Sequence, residues 1–276
     1  MDPLEIALLV IVSIFGLLVG SFANAAIHRI PRDIPLGLFS HTRSKCPTCG
    51  NKISALHNIP LLSYFLLKGK CASCHEKISA RYPTVEVLSM ALFFVATLIF
   101  VRTRGFSWGY DALAMELAFL AAQLYFLWSL LVVTYIDIDF RIIPDRFSIG
   151  NWVAAAVFCF VFRDPEPWQG LLGGALGFGM FFLLAWGYEK IKGIEGLGFG
   201  DVKMIGWLGT WLGLEWVPFI IFVASISGLA VGLIQMRKSE EGLQAALPFG
   251  PFLAFAALVA WCLKFSAFSI GTFVVF

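Results

Sequence analysis

Long apolar segments separated by short polar stretches run along most of this 276-residue chain. A helix that crosses a bilayer needs about 20 predominantly apolar residues, so each long apolar segment is a candidate transmembrane helix. The pattern predicts an all-α polytopic membrane protein with about eight transmembrane helices. The predicted spans cover residues 4–27, 84–101, 112–136, 147–162, 168–188, 202–214, 217–236 and 251–272.

The sixth predicted span is short, and "EWVP" at residues 215–218 separates it from the seventh. This sequence fits either a hairpin tip between two helices or a proline kink in one longer helix. The charges of the loops favour the hairpin. With eight crossings, most Lys and Arg residues fall on one side of the membrane, and the exceptions are Arg102, Arg104, Arg163 and Lys264. Basic loops remain cytoplasmic, so the N-terminus is expected outside.

The composition agrees with a membrane protein and excludes an ordinary soluble domain. Hydrophobic residues make up 59% of the chain and charged residues only 14%. The formal net charge of +2 is small, so the position of the basic residues is more informative than their sum. The expected surrounding is therefore a lipid bilayer.

A basic polar segment, residues 28–82, lies between the first two predicted spans. It contains two cysteine pairs, Cys46 and Cys49 in "CPTC" and Cys71 and Cys74 in "CASC". Two such pairs separated by a chain of this length are typical of a tetrahedral zinc site in a ribbon-like fold. Four thiolates leave no open coordination position, so the sequence predicts a structural zinc that stabilises a small insert.

Three other interpretations of the insert are weaker. "CASCH" at residues 71–75 matches a c-type haem attachment motif, but haem attachment leaves the other cysteine pair unexplained. Two disulfides are unfavourable in a reducing compartment. Basic segments are common beside the anionic lipids of a membrane, so the charge of this segment does not indicate nucleic-acid binding. No nucleic-acid partner is expected.

Asp201 follows three alternating glycines at the start of the sixth predicted span. Gly196, Gly198 and Gly200 permit close backbone approach and unusual dihedral angles. One interpretation is structural, because an aspartate at the N-cap of a helix accepts hydrogen bonds from free N–H groups. The other is functional, because carboxylates beside apolar segments are costly and usually have a role.

A second acidic cluster, Asp137, Asp139 and Asp145, ends the third span in "YIDIDFRIIPD". Asp137 directly follows the apolar run, so it is predicted to lie at the same membrane depth as Asp201. Asp139 and Asp145 fit a solvated loop or, for Asp145, a helix cap. Glu86, one turn inside the second span, fits a side chain that reaches the interface.

Two carboxyl groups that meet at one membrane face can perform peptide hydrolysis. Like-charge repulsion leaves one protonated and one ionised, which supplies both an acid and a base for attack by water. The chain contains no G-x-S-x-G, H-E-x-x-H or P-loop motif that would indicate another chemistry. The alternatives are an ion-coupled transporter that uses Asp137 and Asp201, and a noncatalytic scaffold built on the cysteine insert.

Together these motifs resemble the bacterial type IV prepilin peptidases, which belong to the GxGD group of membrane aspartyl proteases. The resemblance covers nearly the whole chain. The segments that carry it are "GSFANAAIHRIP" at 20–31, "CPTCG" at 46–50, "NIPLLSY" at 58–64, "CASC" at 71–74, "RYPTVE" at 81–86, "YIDIDFRIIPD" at 135–145, "GLGFGDVK" at 196–203 and "PFGPFL" at 248–253.

The resemblance implies that Asp137 and Asp201 are the catalytic residues and that Lys203, with the three glycines, supports the catalytic loop. Asp145 and Glu86 are possible secondary site residues. It implies removal of the basic leader of type IV prepilins and pseudopilins, at the cytoplasmic face of the bacterial inner membrane. These substrates serve type IV pili and type II secretion.

Many members of this family also methylate the new amino terminus with S-adenosylmethionine, so the resemblance implies this cofactor as well. His57 and Ala23 depart from the family pattern in the segments that precede the protease motifs. The chain is therefore expected to comprise a first transmembrane helix (1–27), a cytoplasmic zinc-binding domain (28–82) and a transmembrane protease core (83–276).

Overall fold

A computed structural model describes residues 2–36, 44–104, 110–194, 196–236 and 247–271. Within these ranges the regular elements are helices, apart from two isolated antiparallel β-bridges. The long helices are α1 (Pro3–Arg29), α3 (Arg81–Thr103), α4 (Tyr110–Phe140), α5 (Asp145–Phe162), α6 (Pro167–Lys192), α7 (Phe199–Leu212), α8 (Trp216–Met236) and α9 (Gly250–Gly271), and a short helix α2 (Leu62–Leu66) lies in the insert.

The predicted all-α membrane fold is confirmed, with one difference in helix length. Each of the eight predicted spans coincides with a helix, and six of these helices are long and apolar enough to cross a membrane. Helix α7 has only 14 residues, which corresponds to about 21 Å and is shorter than the hydrocarbon core. Residues 213–215 separate α7 from α8, so "EWVP" begins a second helix and does not kink one long helix.

The structure contains two compact units, Met1–Val132 and Val133–Phe276. The boundary between these units falls within α4. The three functional segments suggested by the sequence have other boundaries and stay a prediction.

In the first unit, α1 packs against α3. Gly16 and Gly20 allow this close approach, because a methyl group at Gly20 would lie 2.7 Å from the Cα atom of Glu86. The insert follows α1 and leads into α3 through α2 and the 3₁₀ turn Leu56–Asn58.

In the second unit, the short helix α7 is central. It packs against α5, α6, α8 and α9, and its residues from Met204 to Leu212 are buried. The crossing with α6 depends on glycine, since a methyl group at Gly173 would lie 2.5 Å from the Gly209 carbonyl oxygen. Such contacts between small residues are a common way for helices to associate in membranes. Because protein surrounds α7, it does not need the length of a lipid-facing helix.

Candidate active site

Asp137 lies near the C-terminal end of α4 and is only 5% exposed. The backbone N–H of Gly250, the first residue of α9, donates a hydrogen bond of 3.0 Å to its Oδ2 atom. The first N–H groups of a helix have no partner within the helix, so a carboxylate at this point satisfies one of them. A methyl group at position 250 would lie 2.7 Å from the same oxygen, so any larger residue here would displace the carboxylate.

Asp201 is the third residue of α7. Its Oδ1 atom is buried and has no hydrogen-bond partner among the residues that the structure describes. The N-cap of α7 is Gly198, and no side chain caps this end of the helix. The structural interpretation of Asp201 as a helix cap is therefore wrong. A buried carboxylate oxygen without a partner costs free energy, as is common at functional sites.

The two aspartates come from segments that meet around Ile143, in the loop between α4 and α5. Methyl groups placed at Gly200 and Gly250 would lie 3.0 Å and 3.3 Å from atoms of the Ile143 side chain. The residue before Asp201 and the residue bonded to Asp137 thus contact the same side chain. The structure therefore brings these two predicted site residues together.

The three glycines before Asp201 provide space and not unusual dihedral angles. A side chain at Gly196 would collide with the ring of Tyr188 on α6, and one at Gly200 would press on Ile143. The positive-φ glycines of the described residues are Gly50, Gly69, Gly193 and Gly213, so the expectation of unusual dihedral angles in the "GLGFG" segment is wrong.

Lys203 and Asp145 form an ion pair with each other. The Lys203 Nζ atom lies 2.5 Å from Asp145 Oδ1, and the Ser148 hydroxyl contacts the same oxygen at 3.2 Å. Asp145 lies in the first turn of α5, whose N-cap is Pro144, so its prediction as the capping residue is wrong. This pair links the start of α5 to the first turns of α7.

Glu86 is buried, whereas its sequence position had suggested a side chain that reaches the membrane interface. It is 8% exposed, and its Oε2 atom accepts a hydrogen bond of 2.8 Å from the Leu61 backbone N–H. Leu61 has a positive φ of 58°, which is strained for a leucine. Glu86 therefore connects the insert to the helices of the first unit.

The four cysteines of the insert form one cluster. All four Sγ atoms lie within 4.8 Å of one another, and the Cys46 and Cys74 sulfurs are 3.9 Å apart. Tetrahedral zinc with Zn–S bonds of about 2.3 Å places its sulfurs about 3.8 Å apart, so the cluster fits this metal. A haem attached through "CASCH" alone would not require the other pair to join it.

The two cysteine turns have the same local structure. Antiparallel bridges between Lys45 and Lys52 and between Lys70 and Lys77 close the turns. Gly50 and His75 occupy equivalent left-handed positions, with φ angles of 71° and 57°. His75 is thus part of the turn backbone.

Backbone hydrogen bonds favour the thiolate form in each turn. Those from Cys49 and then Thr48 lower the pKa of the Cys46 thiol to about 6. In the second turn, hydrogen bonds from the backbone of Cys74 and Ser73 lower the pKa of Cys71. The pKa values of Cys46 and Cys71, one cysteine in each turn, are therefore lowered, whereas the pKa of Cys74 is raised to about 12.

Gly250 and Ile143 are site residues that the sequence did not identify. Both belong to segments that the family resemblance includes, "PFGPFL" and "YIDIDFRIIPD", but neither carries a chemical group that would mark it. Their roles depend on contacts between distant segments, and Gly250 lies 113 positions from Asp137.

Comparisons with known proteins identify the family of this chain. Residues 14–100 match the bacterial peptidase A24 N-terminal domain, and residues 124–233 match the type IV leader peptidase family. No solved structure matches the chain.

Three relatives carry the name prepilin leader peptidase/N-methyltransferase. The protein from Pseudomonas putida is 32% identical, and the match covers 90% of this chain and 88% of that protein. The Aeromonas hydrophila protein is 33% identical over 91% and 89% of the two chains, and that of Stutzerimonas stutzeri is 33% identical over 94% and 91%. The transporter and scaffold alternatives are not favoured, and the chain belongs to the type IV leader peptidase family.

Proposed function

We propose that this multi-pass inner-membrane protein is an aspartic endopeptidase that removes the leader peptides of type IV prepilins and pseudopilins. The observation that carries the proposal is the convergence of Asp137 and Asp201 from two helices, with one buried oxygen of Asp201 left without a partner among the described residues. The relatives' name, prepilin leader peptidase, supplies prepilins as the substrate class.

The environments of the two carboxyl groups suit different roles. A backbone N–H donor favours the charged form of the carboxylate that accepts it, so Gly250 favours a negative charge on Asp137. Two neighbouring carboxyl groups then share one proton, which Asp201 holds. Asp137 is the general base for water, and Asp201 is the general acid for the scissile carbonyl oxygen.

The proposed reaction needs no covalent intermediate with the enzyme. Asp137 takes a proton from water as the water oxygen bonds to the carbonyl carbon, and Asp201 protonates the carbonyl oxygen. When the tetrahedral intermediate collapses, the C–N bond breaks and the proton on Asp137 passes to the leaving amine. The proton on the former carbonyl oxygen returns to Asp201, so the pair is restored.

The proposal is tested with purified protein in detergent and a synthetic prepilin peptide that contains its basic leader. Mass spectrometry is expected to reveal two fragments whose masses add up to the peptide plus one water. An equal rate of cleavage in buffers with and without metal ions would agree with the aspartic mechanism. An intact peptide, with a known member of the family active in the same buffer, would contradict the proposal.

The cysteine cluster is proposed to bind one structural zinc ion through Cys46, Cys49, Cys71 and Cys74. When bound, zinc would cross-link the two turns of a segment that has little apolar core of its own. Bound in this way, zinc would stabilise the fold of the insert, whereas hydrolysis is assigned to the aspartate pair.

A second activity, methylation of the new amino terminus with S-adenosylmethionine, is also proposed. Its support is the word N-methyltransferase in the relatives' name, together with the family resemblance. We assign no residue to the methyl donor. Transfer of a labelled methyl group to the cleaved product would test this activity separately from proteolysis.

The active site is proposed to face the cytoplasm, with the N-terminus outside. The support is the position of Lys and Arg in the loops, which is the usual determinant of orientation. We retain residues 1–27, 28–82 and 83–276 as the proposed anchor, zinc-binding domain and protease core.

Replacement of Gly250 by alanine is expected to lower kcat for peptide cleavage by about 10²-fold, because displacement of a catalytic group by about 1 Å has effects of this size. The added methyl group would lie 2.7 Å from Asp137 Oδ2 and must push the carboxylate away. Gly187→Ala is the matched control, since a methyl group there meets nothing within 4 Å. Equal activity of the two variants would contradict the role of Gly250.

A further inference from the structure

An apolar groove of about 280 Å³ lies in the second unit beside the candidate active site. One wall is a single face of α6, where lining residues recur at intervals of three and four positions. The opposite wall comes from the segments before α7 and α9. The side chains that line the groove include Phe181, Leu184, Ala185, Tyr188, Leu197 and Phe249.

The groove is continuous with the segments that position the proposed catalytic pair. Phe249 lines it, and the next residue, Gly250, donates the hydrogen bond to Asp137. Leu197 lines it four positions before Asp201. An occupant of the groove would therefore lie along both segments that position the two carboxyl groups.

The walls of the groove are firmly packed. The rings of Phe181 and Phe249 have centroids 6.3 Å apart, which joins α6 to the start of α9. The ring of Tyr188 lies against Gly196, which joins the end of α6 to the glycine segment. The groove is thus a formed feature of the fold.

The size and lining of the groove define its ligand. A cavity of about 150 Å³ lined by aliphatic and aromatic side chains is enough to bind benzene. A groove of about 280 Å³ can therefore accept one or two apolar side chains. Its lining residues carry no charge, so a charged leader segment would lose hydration there without compensation.

We propose that this groove is a specificity subsite, which binds an apolar side chain of the substrate next to the bond that is cut. This inference rests on the proposed function and extends it by naming the enzyme residues that select the substrate. An apolar segment that enters from the bilayer would pass along α6 and bring its backbone to the aspartate pair. Burial of one such side chain is worth enough to change kcat/KM by about tenfold or more.

The test uses Ala185→Trp, which fills the groove, in the full-length purified protein. Ala175→Trp is the matched control, because Ala175 is exposed on the same helix and does not line the groove. Each enzyme is given two sets of prepilin peptides, with Leu or Ala at successive positions beside the cleavage point. Ala185→Trp is expected to lower kcat/KM about tenfold or more for one Leu peptide, and little for the matching Ala peptide.

A second variant enlarges the groove and guards against misfolding of the first. Leu184→Ala is expected to shift preference toward a larger side chain at the same substrate position. Leu183→Ala is its control, since the two leucines are 61% and 63% exposed but only Leu184 lines the groove. Unchanged preference in both groove variants would overturn the subsite, as would an equal loss for Leu and Ala peptides. Failure of the unmodified enzyme to cut any peptide would instead contradict the proposed function.

Discussion

Asp137→Asn and Asp201→Asn are each expected to reduce peptide cleavage by at least about 10³-fold, because each variant removes one member of a proton-sharing pair. Asparagine keeps the shape of the side chain but neither accepts a proton from water nor donates one to a carbonyl oxygen. The measurement is the initial rate of prepilin peptide cleavage by purified protein, followed by mass spectrometry.

These variants should remain folded. The side-chain oxygen of asparagine at position 137 can still accept the hydrogen bond from Gly250. At position 201, asparagine replaces a carboxyl group whose buried oxygen has no partner among the described residues, so no stabilising contact is lost. Thermal unfolding in detergent is therefore expected at a temperature no lower than that of the unmodified protein.

Asp145→Asn is the control for a nearby carboxylate. Its partner is Lys203, and the Asp145 side chain is mostly exposed. Exposed ion pairs contribute little to stability, so the variant is expected to remain folded and to retain most activity. Full activity of either variant at position 137 or 201 would refute the catalytic pair. If the Asp145 variant were inactive and the Asp137 variant active, Asp145 would replace Asp137 as the partner of Asp201.

The positions of the helices could be predicted from the sequence because burial in a membrane requires long apolar runs. The ends of the helices were predicted less accurately than their positions, and these errors affect the site. Span 112–136 was predicted to end before Asp137, but α4 continues to Phe140, since a polar side chain near a helix end does not stop a helix. The chain turns at Arg141, which has a φ of 55°, and Pro144 is the N-cap of α5.

The chemistry of the site could be predicted as residue types but not as contacts. Asp137 and Asp201 were identifiable because carboxylates at the ends of apolar segments are rare and costly. The roles of Glu86 and Gly250 depend on the packing of other segments. Glu86 is buried because Gly20 allows α1 to approach α3, which no pattern within one helix reveals.

The cysteine cluster was the easiest feature to predict, because the spacing of its four cysteines is itself the signal. The protein is expected to contain about one zinc ion per chain, and Cys46→Ser or Cys71→Ser should each remove it. Either change leaves three thiolates on a segment that has little other cross-linking, so the insert should unfold locally. Zinc is measured by atomic spectrometry of protein purified without chelators, and the fold of the insert by limited proteolysis.

Cys262→Ser is the matched control for the zinc prediction, because Cys262 lies in α9 and does not belong to the four-cysteine cluster. It should retain both the metal and resistance to protease, whereas the cluster variants should be cut between residues 44 and 80. Because the proposed aspartate mechanism requires no metal, the cluster variants should still cleave a short peptide measurably. Freshly purified protein without zinc, or a Cys46→Ser variant with a full complement of zinc, would contradict a four-thiolate structural site.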